Sequence, residues 1–359
     1  MYNLTKKIVL IKKLFVILCS KYFNMTKISS SQFKKLIFCI IAFVSASNLA
    51  VAQDPAFSQF YANPLYLNPA FAGSVVCPRL IMNYRNQWPS ISGTFVTYNA
   101  SYDQHFDKIS GGIGILVNAD RAGEGTLSTT SFSGIYSYRL AVTRTFTISA
   151  ALQASYVDRR LAWEKLNFGD QIDPKYGFTK PVSSEIPPDK LSKGYLDFST
   201  GIIGYSENFY AGVAISHLTE PEEGFITIHK LPMKFTAHAG AIIDLKKRKH
   251  KTRGIEDITI SPNILYQQQL HFNQLNYGFY VNWLPFVSGV WFRQNFQNSD
   301  ALIFLVGIQQ SSFKIGYSYD LTVSKLTNIT GGAHEISFAL QLKCPQKKKK
   351  IRTINCPSF

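Results

Sequence analysis

Thr145-Phe146-Thr147-Ile148-Ser149-Ala150-Ala151-Leu152-Gln153-Ala154-Ser155-Tyr156 decides the fold class. Phe146, Ile148, Ala150, Leu152, Ala154 and Tyr156 fall on one face, and Thr145, Thr147, Ser149, Ala151, Gln153 and Ser155 on the other. A period of two is the signature of an extended strand whose faces meet different surroundings. The same alternation recurs at Val96, Tyr98, Ala100 and Tyr102, at Phe313, Ile315, Tyr317 and Tyr319, and through Ile336-Ser337-Phe338-Ala339-Leu340-Gln341-Leu342. Soluble strands average about five or six residues, whereas a tilted strand crossing a bilayer needs roughly 9–11. The segments here are of the longer kind, with aromatic residues near their ends and Ser, Thr, Gly, Asn and Gln on the second face. Those features favour a closed membrane cylinder over a soluble sandwich, because lipid leaves an open sheet edge without partners.

Composition agrees. The 359 residues are 46% hydrophobic and 17% charged, too apolar for a disordered chain. No segment after the leader has the ~20 apolar residues of a spanning helix. The formal net charge of +16 is unevenly placed: residues 1–52 hold eight lysines and no acid. The end of the chain adds Lys343, Lys347, Lys348, Lys349, Lys350 and Arg352, so the body between is nearly neutral. A basic chain often binds nucleic acid, but a neutral body does not carry that reading.

From Met25 the sequence reads as an export signal. Lys27, Lys34 and Lys35 precede the apolar run 36–44, and Ala50-Val51-Ala52 is a small-x-small cleavage site, leaving Gln53 first. The expected organisation is an extension and signal over 1–52, an irregular segment over 53–78 in the periplasm or plugging the lumen, a barrel over 79–343, and a basic periplasmic tail over 344–359. Three cysteines then remain, Cys77, Cys344 and Cys356, so at least one is unpaired or bonds another molecule. Cys344 and Cys356 are close enough in sequence to bridge around the lysine run.

Fourteen strands are expected, near 79–88, 93–105, 109–118, 126–141, 145–159, 194–204, 208–217, 232–244, 256–267, 272–283, 287–296, 300–309, 312–321 and 333–343. An even number returns both termini to the periplasm, and barrels carry short turns there and long loops outside. The short joints at 142–144, 206–207 and 310–311 follow even-numbered strands, and the long ones at 160–193, 218–231 and 322–332 follow odd-numbered strands. The run Lys246, Lys247, Arg248, Lys249 then shares the periplasmic side with Lys347, Lys348, Lys349 and Lys350. Each run reads either as solvated charge or as a dock for lipid head groups, peptidoglycan or an acidic protein.

No chemistry-bearing constellation stands out: the seven histidines have no ligand spacing and no Gly-x-Ser-x-Gly elbow occurs. His334 and Glu335 are strand neighbours and face opposite ways. No catalytic residue, metal or cofactor is assigned. Glu335 is expected to point inward with Ser337, where a buried carboxylate needs an Arg or Lys from another strand. Asn63-Pro64 and Asn68-Pro69 read as turns with asparagine as cap, and Gly331-Gly332 as the turn into the last strand.

The two ends of the chain carry a resemblance. Gln53-Asp54-Pro55-Ala56-Phe57-Ser58-Gln59-Phe60-Tyr61-Ala62-Asn63-Pro64 runs on to Leu67-Asn68-Pro69-Ala70-Phe71-Ala72-Gly73. Ile315-Gly316-Tyr317-Ser318-Tyr319-Asp320 and Gly331-Gly332-Ala333-His334-Glu335-Ile336-Ser337 stand near the other end. Together they resemble the PorP/SprF family of type IX secretion outer-membrane proteins. Ala333 departs from the family's usual serine, and the lysine-rich tail is longer than the family's. The resemblance implies a non-enzymatic barrel in the Gram-negative outer membrane that aids secretion or surface anchoring of cargo, such as gliding adhesins with a C-terminal sorting domain. It also implies contact with periplasmic ring lipoproteins. The motif residues Asn68, Pro69, Ala70, Phe71, Gly73, Tyr317, Ser318, Tyr319, Asp320, Gly331, Gly332, His334 and Glu335 are then structural or partner-contacting. A porin or hydrophobic-solute channel is the competing reading, since a polar inner face permits it.

Overall fold

A computed structural model describes residues 54–75, 77–123, 125–173, 175–245, 258–295, 298–323 and 331–343. Fourteen antiparallel strands form one sheet that closes on itself. They are β1 (Arg79–Gln87), β2 (Phe95–Phe106), β3 (Gly111–Ala122), β4 (Leu127–Ala141), β5 (Thr147–Leu161), β6 (Ser192–Tyr205) and β7 (Phe209–Ser216). Then come β8 (Lys234–Ala241, continued by Ile243–Asp244), β9 (Ile258–Gln269), β10 (Phe272–Trp283), β11 (Phe286–Asn295), β12 (Asn298–Gln309), β13 (Phe313–Thr322) and β14 (Ala333–Gln341). Each strand pairs with its sequence neighbours, and β1 pairs with β14 from Arg79↔Gln341 to Gln87↔Ala333. Expected and observed strand edges differ by a few residues, as fraying ends do.

Alternation sorts the two faces. In β5, Ser149, Ala151 and Ser155 are buried, while Leu152 is 67% exposed on the outside. Phe132, Tyr136, Leu196, Ile202, Phe304 and Val306 are exposed likewise, an apolar wall that only lipid can cover. The inner face is polar, with Asn83, Thr97, Asn99, Ser101, Asp103, Ser133, Ser137 and Asn276 all buried.

The two ends of the barrel differ. One carries the connections 162–191, 217–233 and 323–332 and is called the loop end here; the other carries 107–110, 142–146, 206–208, 284–285 and 310–312 and is the turn end. Short joints also occur at the loop end, at 123–126 and 270–271. The basic run 246–249, between β8 and β9, and the run 347–350 lie outside the described residues.

Roughly eight strands close a barrel that side chains alone can fill, and 16–18 leave an aqueous channel. Fourteen therefore leave a gap, and the segment 54–78 occupies it. Phe60, Tyr61, Leu65, Leu67, Ala70 and Phe71 pack with Leu116, Ile135, Ile203, Leu265, Trp291 and Ile303 of the wall in one apolar core. Phe60 and Tyr280 each meet the Trp291 ring edge-on at 5.3 Å. Pro64–Leu67 forms a single helical turn and Pro69–Phe71 a 3-10 turn. The Asn68 side chain accepts the Ala70 amide at 2.9 Å, as a cap should, whereas Asn63 makes no such bond.

The segment runs from the loop end to the turn end. Asp54 meets His217, Lys234 and Gln269, all at loop-end strand termini, and Gly73 meets Asp103 near the start of β3. So Asp54 and Gln341 lie at opposite ends of the barrel, and the parity argument that put both termini on one side applies only to the strands. Cys77, just before β1, is disulfide-bonded, so the spare thiol is not Cys77; Cys344 and Cys356 lie outside the described residues.

Residues 165–187 form a separate unit, in which Ile172–Asp173 pairs with Gly177–Phe178. There Asp170 accepts the Ser183 and Ser184 hydroxyls and the Ser184 amide, which pull its carboxyl down to about 2.

Closure is tested where β1 meets β14, the pair that completes the ring. Met82 and Phe338 are directly opposed across that seam, and paired Cα atoms at ~4.5–5.5 Å suit a disulfide. The double change M82C with F338C should cross-link on mild oxidation, read as a mobility shift on a non-reducing gel. An open sheet would leave both thiols free.

Candidate functional site

The inner segment is held by two polar clusters, and the first is built from four strands. Arg85 on β1, Arg293 on β11, Asp320 on β13 and Glu335 on β14 all point inward by strand parity and are at least nine-tenths buried. Arg85 Nη2 lies 3.0 Å from Asp320 Oδ2, and its Nη1 3.1 Å from Glu335 Oε2. Arg293 Nη2 lies 2.9 Å from Asp320 Oδ2, and its Nε 2.6 Å from Asp300 Oδ2. The charges at the centre balance, two guanidinium groups against two carboxylates. A lone buried charge would cost several kcal/mol, so such a group has to be assembled whole.

Into this cluster the inner segment inserts Ser58 and Gln59. The Ser58 hydroxyl donates to Asp320 Oδ2 at 2.5 Å and accepts from Arg85 Nη1 at 2.5 Å and Arg293 Nη1 at 3.2 Å. The Ser58 and Gln59 amides donate to the two Glu335 oxygens at 2.7 and 3.1 Å. Gln59 Nε2 donates to Ser318 Oγ at 3.2 Å and to the Glu335 carbonyl at 2.9 Å, and its Oε1 accepts from Ser337 Oγ at 2.5 Å. One dipeptide thus satisfies most of the polar atoms that the wall presents at this level.

The second cluster lies at the loop end. His217, just past β7, is gripped by Asp54 Oδ2 on Nε2 and Asp197 Oδ2 on Nδ1, both at 2.8 Å. Lys234 Nζ stands 3.4 Å from Asp54 Oδ2 and 5.5 Å over the Tyr66 ring. Burial alone would discourage a charged imidazole, but the facing carboxylates of Asp54 and Asp197 outweigh it and push His217 up to about 10. Asp54 is held well below the usual carboxylate range: burial opposes this, and His217 and Lys234 overcome it.

Lower in the barrel, Asn68 Nδ2 donates to the Ile202 and Val213 carbonyls at 3.3 and 3.2 Å and approaches His238 Nε2 at 3.2 Å. This fit depends on Gly201, because a Cβ there would collide with the Asn68 side chain. Gly73 N donates to Asp103 Oδ2 at 2.9 Å, a carboxylate that also pairs with Arg79 at 2.9 Å.

The motif residues at the far end of the chain divide by face. Ser318, Asp320 and Glu335 point inward onto the inner segment. Tyr317, Tyr319 and His334 point outward, with Tyr317 Oη 2.8 Å from His334 Nδ1 and the Tyr319 and His334 rings 5.0 Å apart. Gly331 and Gly332 have φ of 69° and 70° in the turn into β14. Pro69, Ala70 and Phe71 are buried, and the Phe71 ring stacks on His238 at 5.4 Å. Thus Asn68, Gly73, Ser318, Asp320 and Glu335 all hold the inner segment in place, and Arg85 supplies the basic partner expected for Glu335. Sequence reasoning missed Asp54, Ser58, His217 and both arginines. The available signal was two arginines, Arg79 and Arg85, on the inward face of β1 and a single Arg on that of β11. Among the described residues no group of three or more His, Cys, Asp or Glu side chains gathers as metal ligands do.

Residues 50–340 match the model of the type IX secretion system membrane protein PorP/SprF. The chain belongs to that family. A closed antiparallel barrel with an apolar outer wall is the form such a membrane protein takes in a Gram-negative outer membrane. Among solved structures, the Ralstonia pickettii toluene transporter TbuX is similar at 10% identity and a TM-score of 0.46, over 78% of this chain and 93% of that one. The Pseudomonas putida toluene transporter TodX matches at 8% and 0.42, over 77% and 92%. The Acinetobacter baumannii protein Omp33 matches at 9% and 0.41, over 75% and 100%. No curated protein matches the sequence.

Two outcomes test this site. Arg85→Ala leaves Glu335 and Asp320 short of a buried partner, a change that costs about 3–5 kcal/mol. The folded barrel should therefore convert to its unfolded gel mobility at a lower temperature. Arg160→Ala should change little, since that arginine is 69% exposed in its bridge to Asp158. The second outcome concerns pH. The raised His217 contributes stability that is full below about 6.5 and is lost as pH climbs through about 10. The depressed Asp54 contributes above about 4 and is lost as pH falls further. Hydrogen exchange at residues 54–60 should be slowest between about pH 4 and 6.5 after correction for intrinsic rates. Protection should weaken on the alkaline side, and His217→Asn should flatten that limb.

Proposed function

We propose that this PorP/SprF member is a non-enzymatic part of the type IX secretion system that works by contact at its rims. The single observation behind this reading is the filled lumen. Ser58 and Gln59 are buried in a balanced ion cluster, and the aromatic residues around them close the centre of the barrel. A passive channel needs a continuous wet path, so the porin reading loses its main attraction.

In this reading the loop end faces outward and holds cargo, such as an adhesin with a C-terminal sorting domain. The turn end faces the periplasm and meets ring lipoproteins of the secretion system. The basic runs 246–249 and 347–350 belong to the same side by chain order and suit an acidic protein, anionic head groups or peptidoglycan. Support for the orientation comes from loop lengths, since outer-membrane barrels carry longer loops outside. Cleavage before Gln53 and a function without catalysis complete the proposal.

Affinity capture from detergent-solubilised envelope should recover an exported cargo protein, a ring lipoprotein or both. Recovery of neither would count decisively against contact at the rims. In planar bilayers the purified barrel should stay closed. Large steady openings would restore the channel reading.

A further inference from the structure

We infer that the processed chain begins on the same side of the membrane as the long loops, opposite its C-terminal strand end. The inner segment makes one more crossing of the membrane plane, inside the lumen. Its direction follows from contacts at three levels. Asp54 lies among His217, Lys234, Asp197 and Gln269, which end β7, begin β8, start within β6 and end β9 at the loop end. Asn68 sits at mid-height between the Ile202 and Val213 carbonyls. Gly73 reaches Asp103 near the turn end, and Pro78 accepts the Leu342 amide at 2.9 Å beside the close of β14.

Two features fasten the first residues at that rim. The Asp54 amide donates to Gln269 Oε1 at 3.3 Å while its carboxylate bridges His217 and Lys234. Ser58 and Gln59, a short way inside, are locked on Arg85, Asp320 and Glu335. The described part of the inner segment therefore starts, at Asp54, on the loop-end rim. Combined with the orientation under the proposed function, on which only the absolute side rests, the amino terminus is displayed outside the cell. A cargo seated on the long loops meets it there.

The relative placement is tested on the unaltered barrel. Zero-length carbodiimide coupling should join the Asp54 carboxylate to the Lys234 amine, seen as a linked peptide by mass spectrometry. A link from residue 54 to Lys314 at the turn end instead would overturn the inference. The absolute side is read with a short epitope placed between Gln53 and Asp54, a second between Ile226 and Thr227, and a third after Phe359. Antibody should bind the first two on intact cells within about twofold of the permeabilised signal, and the third at least about tenfold less. Labelling of the first only after permeabilisation, while the second labels intact cells, overturns the inference. If both label only after permeabilisation, the shared side stands and the proposed orientation of the barrel falls.

Discussion

Lipid offers a backbone no hydrogen-bond partner, and the rest of this structure follows from that constraint. A sheet in the bilayer has to close, so the first strand, β1, pairs with the last, β14, to complete the ring. Closure at fourteen strands creates an interior too wide for side chains to fill. The chain's own residues 54–78 fill it. The outer wall and the inner core then obey opposite rules: Leu152 and Phe132 face outward where water is absent, whereas the wall's inner face is mostly polar. The inner segment brings the apolar groups, Phe60, Leu65 and Phe71, to those places where the wall supplies Leu116, Ile203 and Trp291.

Where the wall supplies charge, the segment supplies peptide groups. Arg85, Arg293, Asp320 and Glu335 come from strands far apart in sequence yet adjacent or nearly so in the ring. Their mutual neutrality makes burial tolerable, and the remaining donors and acceptors are met by Ser58 and Gln59. This explains why a serine and a glutamine, both poor at filling space, stand in the middle of an otherwise aromatic segment. Replacing such a cluster by hydrocarbon is often no less stable, so its value lies in specifying one position for the segment.

Much of the barrel was legible because period-two patterning is local. Each strand announces itself in its own ten or so residues, and the inward direction of Glu335 follows from counting along β14. The arginine that meets it was not legible. Arg85 lies 250 residues away and comes into contact only because the first and last strands pair, a register no local pattern carries. The Asn68 cap could be read from Asn-Pro, yet the identical dipeptide at Asn63 makes no cap, since tertiary packing sets its backbone at φ −127° and ψ 64°. The direction of the inner segment was likewise hidden, because it depends on which wall residues face it and not on its own composition.

The path of that segment changes what strand parity means. Counting strands gives the sides of Arg79 and Gln341, which are paired neighbours at the turn end. It says nothing about a chain that enters the sheet only after crossing the lumen. Asp54 cannot stand beside Gln341 while its carboxylate touches His217 and Lys234. A barrel plugged by residues 54–78 therefore has one end where strands begin and finish, and another where the inner segment starts at Asp54. With the centre occupied, these two rims and the lipid-facing wall are the surfaces left for recognition, and the rims differ in kind. Among the described residues one carries tight turns that hold the sheet; the other carries the long connections and the Asp54–His217–Asp197 clasp, where, together with Lys234, the first described residue of the segment is tied to the wall by charge.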